Sequence, residues 1–238
     1  MYGISVGTGD PELITVKGLR ILQESPVVAF PSGIDGKPGI AEGIIRSWLQ
    51  PAQKTIALDF PYVLDQYLLE KAWQTAAQSV WEFLQRGLDV AFACEGDVSF
   101  YSTFTYLAHT LRTNYPEVEI ISISGVCSPL GAASVLGLPL TIRNQRLAVL
   151  PALYHVKELE NVLQWADVIV LMKVSSVYGE VWQLLKEKNL LSHSWLVEKA
   201  TFPNQKIYPD LSSYPDLKLS YFSIMVINVT GTLSPYHF

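Results

Sequence analysis

Cysteine, charge and long apolar runs are all scarce in this sequence. Only two cysteines occur in 238 residues, Cys94 and Cys127. A disulfide framework is therefore excluded as the basis of the fold, and free thiols in a reducing cytoplasm fit better. The four histidines, His109, His155, His193 and His237, are scattered, and no Cys/His cluster has metal spacing, so no metal is expected. Charged residues make up 16% and the net charge is -5, which argues against a general nucleic-acid surface. No stretch approaches the roughly 18 apolar residues that span a bilayer, so no membrane span is read. The opening Met1-Tyr2-Gly3-Ile4 has neither a basic nor an apolar leader region, so no signal peptide is read.

Hydrophobic side chains are plentiful, at 49%. Their runs are short and strand-like: Val27 to Phe30, Val90 to Cys94 and Val168 to Met172. Such runs suit strands buried on both faces of a parallel sheet. Tyr2 to Val6, Thr55 to Leu58 and Val118 to Ile123 add further strands. Helical spacing joins Ile14, Gly18, Ile21 and Leu22, then Ile40, Ile44, Ile45 and Trp48, then Leu68 to Leu84, and lastly Tyr101 to Arg112. Asp10 and Pro11 predict the start of the first helix, and Pro31 to Pro38 reads as a loop. Strand and helix alternate, so the N-terminal half predicts a mainly parallel sheet with helices on both faces.

From Ser128 the pattern changes. Strands at Leu147 to Leu150, Val168 to Val174, Leu196 to Thr201 and Ser220 to Val229 accompany helices at 128–136, 155–165 and 181–188. Late strands without intervening helices predict a mixed sheet. The expected architecture is two α/β domains, 1–123 and 124–238, with a ligand cleft between them.

Ligands of parallel sheets bind beyond the carboxyl ends of the strands. Gly7-Thr8-Gly9-Asp10 lies at such an end. A dinucleotide fingerprint needs a third glycine where Glu12 stands, and a P-loop lysine is missing. Asp10 and Glu12 put negative charge where a phosphate would sit. Read plainly, the segment is either a ligand turn or a tight β-α turn with a capping Asp10. Glu95-Gly96-Asp97, followed by Val98-Ser99-Phe100, offers two carboxylates at a second strand end. Asp97 suits a ligand or the N-cap of the next helix. Gly125-Val126-Cys127-Ser128-Pro129 fits either a ligand-contacting segment or a capped turn. Arg143 and Arg146 suit an acidic substrate or solvent. Met172 ends a buried strand, as core residues do.

Taken in order, several segments resemble the tetrapyrrole methylase family of S-adenosyl-L-methionine-dependent methyltransferases. They are Tyr2 to Lys17, Glu95 to Phe104, Ser124 to Ser128 with Gly137 to Leu140, Val170 to Lys173, and Glu198 to Thr201. The form of the second segment is most similar to the precorrin-2 C-20 branch. The resemblance implies S-adenosyl-L-methionine bound in the cleft, a homodimer and a tetrapyrrole substrate. It implies cofactor contacts from Val6, Gly7, Gly9, Glu95, Gly96, Asp97, Val98, Phe100, Cys127, Ser128, Met172 and Ala200. Many members carry proline where this chain has Val98, and its loss is expected to loosen the loop.

The activity implied is C-methylation of precorrin-2, or cobalt-precorrin-2, at C-20 to give precorrin-3. Asp10 is the candidate proton acceptor, and Arg143, Arg146 and Lys173 are the candidate substrate cations. The alternatives are methylation of another tetrapyrrole position, a protein or an RNA. A dinucleotide oxidoreductase or a non-catalytic binding module are others.

Overall fold

A computed structural model of the protein describes residues 1–33, 38–61, 63, 65–152 and 155–233. The chain forms two compact units, Met1–Cys127 and Ser128–Phe238.

The first unit contains strands β1 (Tyr2–Ser5), β2 (Val27–Pro31), β3 (Lys54–Leu58), β4 (Val90–Cys94) and β5 (Ile121–Ile123). They pair in the order β3-β2-β4-β1-β5, every pair parallel. Successive strand residues point to opposite faces, so the apolar runs feed two cores. On one face Ile4, Val28 and Ala91 meet helix α1 (Val16–Glu24) and helix α2 (Ile40–Ile45). On the other, Ala29 and Phe92 meet helix α3 (Gln66–Leu84) and helix α4 (Phe104–Asn114). The expected parallel sheet covered on both faces is present.

The first helix starts later than its capping signal predicts. Asp10 does accept a backbone hydrogen bond, from Glu12 N at 2.9 Å, but it caps only a short 3-10 turn, Pro11–Leu13. Thr15 caps α1, its hydroxyl accepting from Gly18 N at 3.1 Å. Two overlapping cap signals compete here, and the chain uses both. Residues 34–37 of the expected loop lie outside the described residues.

The second unit contains α5 (Ser128–Leu136), β6 (Leu147–Leu150), α6 (Val156–Val162), β7 (Val168–Met172), α7 (Tyr178–Glu187), β8 (Ser194–Glu198), β9 (Lys206–Tyr208) and β10 (Ser223–Asn228). Its sheet runs β6-β7-β10-β8-β9, parallel only between β6 and β7. The mixed sheet is as expected. Ile169, Leu171, Leu196, Met225 and Ile227 form one face against α6 and α7, and α5 approaches β8 and β10. Among the described residues no helix is long and apolar enough to cross a membrane.

Candidate active site

Strand order decides where the first unit can bind anything. Strand β1 leaves past its neighbour β4 towards β2, whereas β4 leaves past β1 towards β5. Chain connections diverge at this point, and the loops beyond β1, β4 and β5 meet there. Gly7 and Gly96 are bound to each other: Gly7 N donates to Gly96 O at 3.3 Å and Gly96 N to Gly7 O at 2.7 Å. Both adopt positive φ, +79° and +70°, which glycine does without the steric cost a side chain adds. A side-chain carbon on Gly7 would meet Leu13 Cβ at 2.7 Å, whereas one on Gly96 would meet open space.

Ser5 ties the three loops together. Its buried hydroxyl donates to Ile123 O at 2.7 Å and accepts from Val98 N at 2.9 Å. Valine supplies the N–H that proline lacks, so the hydrogen bond anchors the loop that loss of proline was expected to loosen. Asp97 adds a second tie. One carboxylate oxygen accepts from Ser99 N at 2.8 Å and Ser99 Oγ at 2.5 Å, and the other accepts from Gly125 N at 2.7 Å. Burial pushes this carboxyl up, but the hydrogen bonds from Ser99 and Gly125 outweigh it and hold the group below its ordinary range. Asp97 is therefore not the N-cap of α4, which starts at Phe104 after Thr103. Gly125 has no room for a side chain, since an added carbon would overlap Ser5 Cβ.

The resulting rim is acidic. Asp10, Glu12, Glu95 and Asp97 lie in residues 6–12 and 95–100, and neither these segments nor 124–127 contain a lysine or arginine. Such a rim favours a cationic ligand over a phosphate.

In the second unit one end of the sheet gathers the carboxyl ends of β7 and β8 and the start of β10. Met172 pairs with Ile224 and Glu198 with Ser223. Just beyond the strands, Lys173 N donates to Ser223 O at 3.0 Å and Lys199 N to Phe222 O at 2.7 Å. Lys173, Lys199 and Thr201 all adopt left-handed backbone, with φ of 56°, 51° and 68°. Met172 and Ala200 are buried at this end. The Lys173 ammonium lies 5.1 Å from the centroid of the Tyr221 ring, a cation–π distance.

The model of the Tetrapyrrole (Corrin/Porphyrin) Methylases matches residues 1–213. The chain belongs to this family. It is 31% identical over 230 residues to the cobalt-precorrin-2 C(20)-methyltransferase of Salmonella typhimurium, covering 96% of this chain and 95% of the relative. It is 32% identical over 235 residues to the cobalamin biosynthesis protein CobIJ of Mycobacterium bovis, covering 95% of this chain. The chain spans about half the length, 45%, of that relative. Among solved structures it is similar to the uroporphyrin-III C-methyltransferase of Thermus thermophilus complexed with S-adenyl homocysteine. The TM-score is 0.64 at 18% identity, over 95% of this chain and 96% of that one.

Several of the residues read from the sequence come together in this tetrapyrrole methylase. Gly7, Gly9, Glu95, Gly96, Asp97 and Phe100 share the first rim, and Met172, Lys173 and Ala200 the second. Val6 and Val98 lie in the loops of the first rim, but their side chains are core residues, 0% and 2% exposed. Cys127 ends the first unit and Ser128 opens α5, both half-buried.

Arg143 and Arg146 do not join Lys173. Arg146 sits at the amino end of β7: its amide and Nε donate to Asp167 Oδ2 at 2.7 and 3.2 Å, and its carbonyl accepts from Val168 N. A five-residue strand, about 15 Å long, separates it from Met172. The two arginines line a separate open cavity of about 560 Å³ with Gln145, Asp167, Thr230 and Thr232.

Sequence reasoning left Ser5 unassigned, although a lone hydroxyl in the apolar stretch Ile4-Ser5-Val6 was a usable signal.

Proposed function

We propose that this tetrapyrrole methylase transfers a methyl group from S-adenosyl-L-methionine to carbon 20 of precorrin-2 or cobalt-precorrin-2, in cobalamin biosynthesis. The match with the Salmonella enzyme, over 96% of this chain and 95% of that one, carries the reading. The acidic first rim, free of lysine and arginine, supports a positively charged sulfonium donor.

When bound, S-adenosyl-L-methionine supplies a methyl group already activated on a positive sulfur. The residues of the chain have the task of alignment and exclusion of water, a proximity effect. The residues assigned to the donor are Gly7, Gly9, Gly96, the Asp97 to Phe100 turn and Cys127 in the first unit, and Ser128, Met172 and Ala200 in the second. Asp97 is fully engaged by Ser99 and Gly125, so its work is to fix the loop. Carbon 20 of the acceptor must lose a proton after methylation. Asp10, half-buried at the rim, is the carboxylate assigned to take it. Lys173 is assigned to an acceptor carboxylate, and Arg143 and Arg146 are left out because they lie at the far end of β7. The family resemblance supports a homodimer, which light scattering tests.

The deciding experiment incubates the protein with methyl-labelled S-adenosyl-L-methionine and either metal-free or cobalt precorrin-2, then locates the label by NMR. Label at C-20 is expected. Label at another ring position, or transfer to neither acceptor, overturns the assignment.

A further inference from the structure

The turn beyond β8 is held in a costly shape. Lys199 and Thr201 flank Ala200, and both take left-handed backbone. Thr201 is β-branched, for which such a φ is an outlier. Residues in these regions are costly to hold and persist only where the surroundings over-determine them.

Two side chains bear on it, Gln205 directly and Glu198 through the segments that flank it. Glu198, the last residue of β8, is only 7% exposed. Its carboxylate accepts from Ser220 N at 2.7 Å and from the Tyr208 hydroxyl at 3.1 Å. One side chain thus fastens β8, the edge strand β9 and the segment leading into β10. Burial pushes the Glu198 carboxyl up, but hydrogen bonds from Ser220 and Tyr208 overcome this and hold it below its ordinary range. From the other side Gln205 Oε1 accepts from Thr201 N at 3.0 Å, and the turn closes on itself through Phe202 N to Lys199 O and Gln205 N to Phe202 O, both 3.0 Å.

Strand alternation puts Glu198 on the face shared with Leu196, Leu171 and Met225, and Met172 on the opposite face. Glu198 therefore lies behind the sheet, away from the face of Met172, which is assigned to the donor.

We propose that Glu198 and Gln205 are positioning residues for the methyl donor: together they clamp the strained Lys199–Thr201 turn so that Ala200 is preset to receive S-adenosyl-L-methionine. This rests on the assignment of Ala200 to the donor site. Releasing the clamp lets the turn relax to ordinary backbone, and the donor must then restore the strained form at the expense of its affinity.

The test is calorimetric titration of the full chain with S-adenosyl-L-homocysteine, comparing wild type, Glu198→Gln, Gln205→Met and Tyr208→Phe. One hydrogen bond of net worth about 1 kcal/mol corresponds to about fivefold in affinity. Glu198→Gln and Gln205→Met are expected to bind about fivefold or more weakly. Each should also show a raised donor KM, with kcat at saturating donor and the tetrapyrrole KM within twofold of wild type. A purely structural role would lower the melting temperature and leave that split unmoved. If Glu198→Gln fails to fold, Tyr208→Phe removes one of the same bonds with less disturbance, and a donor KM raised about twofold or more is expected from it. Wild-type affinity in the folded variants overturns the inference while leaving the function intact. Absence of binding by the wild type overturns the donor assignment itself, and the clamp with it.

Discussion

Replacing Asp97 by asparagine would change one atom and break the joint between two loops. The carboxylate accepts three hydrogen bonds with its two oxygens, from Ser99 N, Ser99 Oγ and Gly125 N. Asparagine has one acceptor oxygen and one amino group. If its oxygen stays with Ser99, the amino group faces the Gly125 N–H at the present 2.7 Å contact, donor against donor. The flipped amide orphans both Ser99 donors instead. In the better orientation one hydrogen bond to a charged acceptor is lost, about 2–3 kcal/mol. For a chain of this size that lowers the melting temperature by about 4–12 °C.

The pH dependence of Asp97→Asn gives a second, independent reading. The hydrogen bonds from Ser99 and Gly125 overcome burial and leave the folded-state carboxyl below the value of an unfolded aspartate, which is about 3.9. Its contribution is therefore complete above that value and is lost as pH falls through the lower folded one. Urea melts followed by circular dichroism at pH 7, 5 and 3.5 should show a constant gap between wild type and Asp97→Asn at the first two, and a smaller gap at the third. Equal stability at pH 7, or a gap that widens towards acid, would refute the assigned hydrogen bonding.

Other consequences follow from the same geometry. Ser5→Ala removes the hydroxyl between Ile123 O and Val98 N and should cost about 1–3 kcal/mol in urea melts. Gly125→Ala drives a methyl group into Ser5 and should cost about as much, with weaker donor binding by calorimetry. Asp10→Asn keeps a good helix-cap residue, so its melting temperature should stay close to wild type. Its turnover should nevertheless fall about 100-fold or more if Asp10 takes the proton. Burial pushes the Cys94 thiol up to about 11, so at pH 8 little thiolate is present. Mass spectrometry after brief alkylation should find half-buried Cys127 modified and Cys94 protected until urea is added.

What was legible in the sequence was whatever depends on short-range pattern. The runs Val90 to Cys94 and Val168 to Met172 gave fully buried strands at their stated positions, because burial on both faces demands unbroken apolar side chains. The glycine turn and the Glu95-Gly96-Asp97 loop were visible as motifs, yet their partnership was not. The Gly7–Gly96 pairing joins residues far apart in the chain, and only strand order brings them together. The strand Lys206–Tyr208 escaped notice because three residues at a sheet edge carry no periodic signal. Arg143 and Arg146 looked suitable by charge alone. Which end of β7 they occupy depends on the pairing of Leu147 with Val168, and local composition does not encode it. Glu198 lies in a segment that carries the family resemblance, but what it holds depends on Ser220 and Tyr208, which are distant in sequence.

The Ser5 hydroxyl also bears on how the first unit folds. Its two partners lie 93 and 118 residues further along the chain. Among the described strands β1 pairs with β4 and β5, so it stays unpaired until the chain as far as Cys94 has been synthesised. Closing such long loops precedes any reward from the contacts, and folding dominated by them is slow. Until then Tyr2 to Val6 is an apolar segment with open strand edges, the part of a nascent chain most prone to aggregate. Ser5 places a polar group inside that segment, where it interrupts the apolar run before its partners arrive.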